Sequence, residues 1–188
     1  MTTHYSDILT HTRQYFSFED LDSNTIEIED IAQGLSNTCR FAGQCPEFYS
    51  VAQHSVLVYW MLSNNLNVTD PATLMQGLLH DATEAYIGDM TSPLKRIMPE
   101  YRALEQRLND KIMRHFGISP VMAPAVKKAD LMALAIEKRE LFGNADAWDV
   151  LVDIPETRWT LTPISPPVAR ALFKRTFTYV DRMLKATL

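Results

Sequence analysis

His80 and Asp81, with Glu84 three positions on, are the residues of this chain best suited to chemistry. They lie in the run GLLHDATEAYIGDM, residues 77–90, which reads as a helix with its reactive groups at the C-terminal end. An imidazole nitrogen beside a carboxylate oxygen is a mixed donor set that suits a divalent transition metal. On a helix Asp81 is about 100° round from His80, so both can reach one ion over the helix edge. Glu84, four residues from His80 and three from Asp81, points into the same space and can handle the proton of a water molecule. Taken alone the pattern is weak, because an exposed His-Asp-x-x-Glu face is usually solvated surface. The apolar approach Gly77-Leu78-Leu79 argues that this face is buried.

Two further ligand candidates lie on other expected helices. His54 sits in the apolar run EFYSVAQHSVLVYW, where a histidine is more often a hydrogen-bonded core residue than a ligand. Asp130 sits among Val126, Leu131, Ala133 and Leu134, where a carboxylate is costly to bury without a partner; a salt bridge to Lys127 or Lys128 is the plain alternative. The order His, then His-Asp, then Asp on three separate helices is what raises the metal reading above these alternatives.

Those helices follow from pattern and capping. Residues 1–27 are polar and weakly periodic, and read as a short hairpin or an irregular wrap. Residues 27–37 read as a helix with Ile28, Ile31 and Leu35 on one face and early acidic residues at its N-terminus. Pro46 is expected to open the next helix, which carries His54 and runs to about Leu62. Asp70 and Pro71 cap and start the His80 helix, expected to continue to Gly88. Residues 89–99 read as a loop. Residues 100–116 read as an amphipathic helix stopped by Gly117, and Pro124 opens a helix to about Phe142 that carries Asp130. An irregular proline-rich stretch, 143–167, precedes a last helix at 168–184. The expected fold is all-α, one helical bundle with its site on facing helices.

Composition narrows the partners. The chain has 188 residues, 46% hydrophobic and 22% charged, which fits one globular domain. A net charge of −5 offers no basic stripe for a nucleic-acid polymer, while a small phosphorylated ligand depends only on local charge. Cys39 and Cys45 have neither zinc-knuckle nor redox spacing and read as reduced thiols of a cytoplasmic protein. No secretory leader or membrane span is expected.

The ordered pattern H…HD…D resembles the HD-domain metal-dependent phosphohydrolase superfamily. The strings CRFAGQCPEFYSVAQHS, LLHDATEAYIGDMTSPLKR and VKKADLMALAIEKREL resemble its small bacterial and phage branch, which includes 5′-deoxynucleotidases and deoxynucleoside triphosphate triphosphohydrolases. The likeness covers about residues 26–142 of a single domain spanning 1–188, and is weak over the first 25 residues and the C-terminal 45. It implies an HD-type helical bundle with His54, His80, Asp81 and Asp130 as metal ligands and Glu84 as the catalytic carboxylate, Asp81 serving both roles. Asp89 matches the residue that meets the deoxyribose 3′-hydroxyl, Arg40 the arginine near sugar and phosphate, and Lys95 a lysine placed for phosphate. Phe41 stands where the deoxynucleotidases usually have tryptophan, which bears on sugar discrimination and base preference. For Arg40 the plain alternative is a salt bridge to Glu47, and for Lys95 and Arg96 an exposed loop charge.

The implied cofactor is a divalent transition metal (Mn, Co, Zn, Fe or Ni). The implied reaction is attack of metal-activated water on a deoxynucleotide's α-phosphorus, giving a deoxynucleoside and phosphate. Its rival releases triphosphate from a deoxynucleoside triphosphate, with Lys95, Arg96 and Arg102 available for the extra charge. A non-catalytic nucleotide-binding regulator and a helical scaffold with incidental histidines are the readings outside catalysis. Of the five histidines, His4, His11 and His115 are poorly placed, so one tightly held metal is expected, with Glu84 and Asp89 the pair that offers a weaker second ion a place. That count disfavours the di-iron oxygenases and cyclic-dinucleotide phosphodiesterases of the superfamily. Trp148 and Trp159 in the proline-rich stretch would cover the site, form a subunit interface or pack in the core, and the resemblance leans to a homo-oligomer.

Overall fold

The structure is a computed structural model that describes residues 6–143 and 146–187. His4 and the start of the N-terminal segment lie outside the described residues. The chain is mostly helical, as its periodicity requires: α1 (Ile28–Asn37), α2 (Val51–Trp60), α3 (Pro71–Leu79), α4 (Glu84–Ile87), α5 (Ser92–Arg96), α6 (Pro99–His115), α7 (Pro124–Glu137) and α8 (Pro166–Lys185). Ahead of them, Asp7–Leu9 and Tyr15–Ser17 pair antiparallel as the expected hairpin. Its turn is tied to α1 by buried Asp30, which accepts from the Thr12 N–H at 2.7 Å and the Thr12 hydroxyl at 2.8 Å.

α2 is the central helix. Every residue from Val51 to Val58 is buried, so it has no solvent face, because α1, α3, α7 and α8 surround it. α8 packs across α1, α2 and α3 and closes the core with Ala169, Phe173 and Val180.

Four expectations change. Pro46 does not open α2; Ser50 does, and its hydroxyl accepts the Gln53 N–H at 3.2 Å. The His80 helix does not run through to Gly88. α3 stops at Leu79, and the next residues close tight turns in which Ala82 N–H donates to Leu79, Glu84 N–H to Asp81 and Ala85 N–H to Ala82. The segment 89–99 is not all loop: Pro93 sits in the first turn of α5 and Pro99 in that of α6, so both prolines start helices. α7 also changes character after Glu137, where a wide π-type turn over Lys138–Phe142 carries the chain to Gly143 in the left-handed conformation.

Two buried glutamines fasten the irregular connections to this frame. Gln76 on α3 donates to Ser119 and Val121 carbonyls and accepts from Ala123 N–H. Gln53 on α2 does the same for Thr162 and Ile164 of the proline-rich stretch. Trp159 of that stretch stacks on Trp60 at 5.8 Å, so it belongs with the core, whereas Trp148 lines a cleft.

Candidate metal centre

The three segments expected to carry ligands do meet. His54, fully buried on α2, has Nε2 3.3 Å from His80 Nε2, 3.4 Å from Asp81 Oδ2 and 3.5 Å from Asp130 Oδ1. His80 Nε2 lies 3.2 Å from Asp81 Oδ2 and 3.9 Å from Asp130 Oδ1. With metal–ligand bonds of about 2.1 Å, neighbouring donors sit about 3.0–3.4 Å apart, so the spacing of His54, His80 and Asp81 fits a shared cation and Asp130 lies slightly wide of it. His54, His80 and Asp81 form the group that could hold a metal ion, and Asp130 Oδ1 on α7 lies outside that group but within 3.9 Å of both imidazoles.

Each ring's other nitrogen is engaged. His80 Nδ1 donates to the Gly77 carbonyl at 2.8 Å, inside its own turn. His54 Nδ1 donates to Glu137 Oε1 at 2.6 Å. Each Nδ1–H is therefore held by an acceptor, and each Nε2 faces the same point with the carboxylates, open to an ion once it has lost its proton. Such a donor set calls for positive charge at its centre. Burial and the Arg40 charge push the His54 imidazole down, yet the Glu137 and Asp130 carboxylates outweigh them and raise it to about 9. Burial raises Asp81 and Asp130, but the two imidazoles hold both carboxyls well below the usual range, aided by Arg40 and Lys127 respectively. The Lys127 salt bridge coexists with the metal-facing role: Nζ takes Asp130 Oδ2 at 2.8 Å and leaves Oδ1 to the histidines.

The remaining candidates line one cleft of about 1530 Å³ beside these donors. Glu84 is buried beneath it, and its Oε2 has no hydrogen-bond partner among the described residues. Burial first, then the Asp81 and Asp89 charges, raise its carboxyl well above the ordinary value. Lys95 reaches it at 3.3 Å and is held more closely by Glu105 at 2.6 Å, so Lys95 is committed to two carboxylates and is no free loop charge. That ion pair secures the Lys95 charge, whereas desolvation still dominates Glu84.

Arg40 pairs with Glu137 at 3.2 Å and with Asp81 at 3.5 Å; among the described residues Glu47 is not its partner. Next to it, Phe41, Ala42 and Gly43 have φ of 56°, 52° and 73° in succession. Two non-glycine residues in the left-handed region mark a strained loop, held here because Asp89 Oδ2 accepts the Phe41 N–H at 3.2 Å. Asp89 thus anchors the loop that carries Arg40 and Phe41, and burial raises its carboxyl. Phe41 meets Phe142 edge to face at 5.0 Å, and Phe142 lies 6.3 Å from Trp148, which gives the cleft an aromatic wall.

Glu137 is the residue beside the candidate donors that the sequence reading missed. It stands seven positions after Asp130 on the same face of α7, fully buried, with its carboxyl lowered by Arg40 and His54 despite desolvation. A carboxylate at that spacing between Ile136 and the turn was the available signal. Cys39 and Cys45 are free thiols with sulfurs 3.7 Å apart, as reduced cysteines would be.

No protein-family model matches the chain. It is 38% identical over 182 residues to the uncharacterized protein YfdR of Escherichia coli K12, covering 96% of this chain and 98% of that one. It is also 36% identical over 129 residues to an uncharacterized protein of Rhodobacter capsulatus, 65% of this chain and 66% of that one. The chain belongs to the YfdR family.

Proposed function

We propose that this YfdR-family protein is a metal-dependent phosphohydrolase of HD type, which cleaves the 5′ phosphoester of deoxynucleoside monophosphates to give a deoxynucleoside and phosphate. One observation carries the reading: the Nε2 atoms of His54 and His80 converge with carboxylate oxygens of Asp81 and Asp130 within 3.9 Å. Two nitrogens and two oxygens suit Mn, Co, Zn, Fe or Ni. A divalent ion held there would supply Lewis acidity and make water a nucleophile near neutral pH.

The chain's own residues do the rest. Glu84, raised by burial and neighbouring charge, holds or takes a proton at Oε2 in the cleft. Arg40 and Lys95 offset charge on the phosphoryl oxygens. Phe41, Phe142 and Trp148 offer an apolar side to a planar base, which favours a nucleotide over a bare sugar phosphate. A second reading, triphosphate release from deoxynucleoside triphosphates, is supported by Arg96 and Arg102, which line the same cleft beyond Lys95.

Purified protein with manganese or cobalt, given mono- and triphosphates of each deoxynucleoside, tests both. Inorganic phosphate from monophosphates alone supports the first reading, and triphosphate from triphosphates supports the second. No turnover of either, with nucleotide still bound, would leave the regulator reading.

A further inference from the structure

We infer that Glu137 is a positioning residue that couples the metal centre to the anion-binding arginine, one carboxylate oxygen orienting His54 and the other orienting Arg40. The inference rests on the metal-phosphohydrolase reading and adds to it a residue outside the ligand set.

The geometry is specific. Glu137 Oε1 accepts from His54 Nδ1 at 2.6 Å, and Oε2 forms an ion pair with Arg40 NH2 at 3.2 Å, a charge contact without hydrogen-bond geometry. Its side chain is fully buried, and the Arg40 side chain is 12% exposed, on the cleft wall. Packing alone would favour an apolar residue here, because a buried carboxylate must recover its desolvation from its partners. Its neighbours are one imidazole of the candidate donor group, one guanidinium and the buried Tyr49 hydroxyl. α7 therefore contributes twice, Asp130 as a donor and Glu137 two turns on as the support for a donor on α2. A hydrogen-bonded carboxylate behind a ligating histidine fixes its tautomer and ring orientation, and losing it weakens metal binding about 10–100-fold.

Binding, not turnover, provides the test. Cobalt(II) is titrated into metal-free protein, and inorganic phosphate into the cobalt-loaded protein, with melting temperatures recorded throughout. Glu137→Ala is expected to weaken cobalt binding by about 10–100-fold. Glu137→Gln keeps the shape, and its amide oxygen can still accept from His54, so its cobalt loss is expected to be smaller. Its neutral amide cannot form the ion pair with Arg40, so phosphate binding is expected to fall by the same factor as in Arg40→Ala. Combining Glu137→Gln with Arg40→Ala should then add almost nothing, an interaction that a purely structural role would not produce. Additive losses in the double variant, or wild-type cobalt affinity in folded Glu137→Ala, would overturn the coupling alone. Failure of the wild type to bind cobalt would instead remove the metal reading and the coupling with it.

Discussion

Gly34 of α1 rests directly on the backbone of Ala85 in α4, one residue from Glu84. A Cβ at position 34 would lie 2.5 Å from the Ala85 carbonyl oxygen and 2.7 Å from its Cα, too close for any real contact. Because those atoms are backbone, α4 itself would have to move. Gly34→Ala is expected to cost about 1–3 kcal/mol of stability, as overpacking does. Turnover should fall further than stability explains, because Glu84 shifts. Cobalt affinity should fall less than turnover, because His54 and Asp130 sit on α2 and α7 and only His80 and Asp81 lie in the turns that lead into α4. Denaturant melts, cobalt titration and phosphate release on the same samples check all three; unchanged turnover in a destabilised protein would disconnect Gly34 from Glu84.

Metal binding should be visible as stability. A ligand that binds only the folded state adds about 2.7 kcal/mol at a concentration of 100 Kd. The wild type is therefore expected to melt higher with manganese or cobalt and to lose the increment on chelation. His80→Ala and Asp130→Asn should each melt at a temperature nearly independent of metal. A metal-dependent rise of wild-type size in both variants would show that the ion binds elsewhere.

Burial of Glu84 costs stability at neutral pH. Its folded carboxyl lies well above the ordinary 4.5, driven by burial and then by Asp81 and Asp89. Between the unfolded and folded values the folded protein holds a proton that the unfolded chain has released, so stability falls as pH rises through that window. The penalty is complete above the folded value and absent below about 4.5. Glu84→Gln in metal-free protein should accordingly melt above wild type at neutral pH, and the gain should shrink towards pH 4.5. Lys95 keeps its charge partner in that variant because Glu105 is closer. Turnover should drop by about 10²–10⁴-fold. A Glu84→Gln protein less stable than wild type at neutral pH would contradict the burial argument.

The parts of the molecule that were legible in the sequence are those set by local rules. Asp70 and Pro71 start α3, Gly117 and Pro124 bracket the joint between α6 and α7, and Ile31 and Leu35 face the core, as capping and periodicity require. The cluster of possible donors was legible because His54, His80-Asp81 and Asp130 follow in that order on separate helical segments. What escaped depends on tertiary contact. The break after Leu79 turns His80 and Asp81 towards α2 and α7, and no breaker residue announces it. Pro46 obscured Ser50 as the true cap of α2, and nothing near Arg40 in sequence points to Glu137, 97 positions away. Glu47 was the near choice; burial of Arg40 beside α7 makes Glu137 the real one.

The proline-rich stretch should come loose without disturbing the metal centre. Gln53 Nε2 donates to the Thr162 carbonyl at 2.8 Å and Oε1 accepts the Ile164 N–H at 3.0 Å, while Arg139 donates to the Thr157 and Trp159 carbonyls. These two side chains, one beside His54 and one just past Glu137, hold a segment with no ladder of its own. Gln53→Ala strips partners from two backbone groups and is expected to cost about 1–3 kcal/mol. Together with Arg139→Ala it should expose residues 157–164 to limited proteolysis long before the bundle is cut. His54 keeps its place in both variants, because Ser50 caps α2 and Glu137 holds the ring, so cobalt affinity should match wild type. Cleavage confined to that segment, at unchanged cobalt affinity, is the expected result; resistance equal to wild type would mean that the stack of Trp159 on Trp60 holds the segment without them.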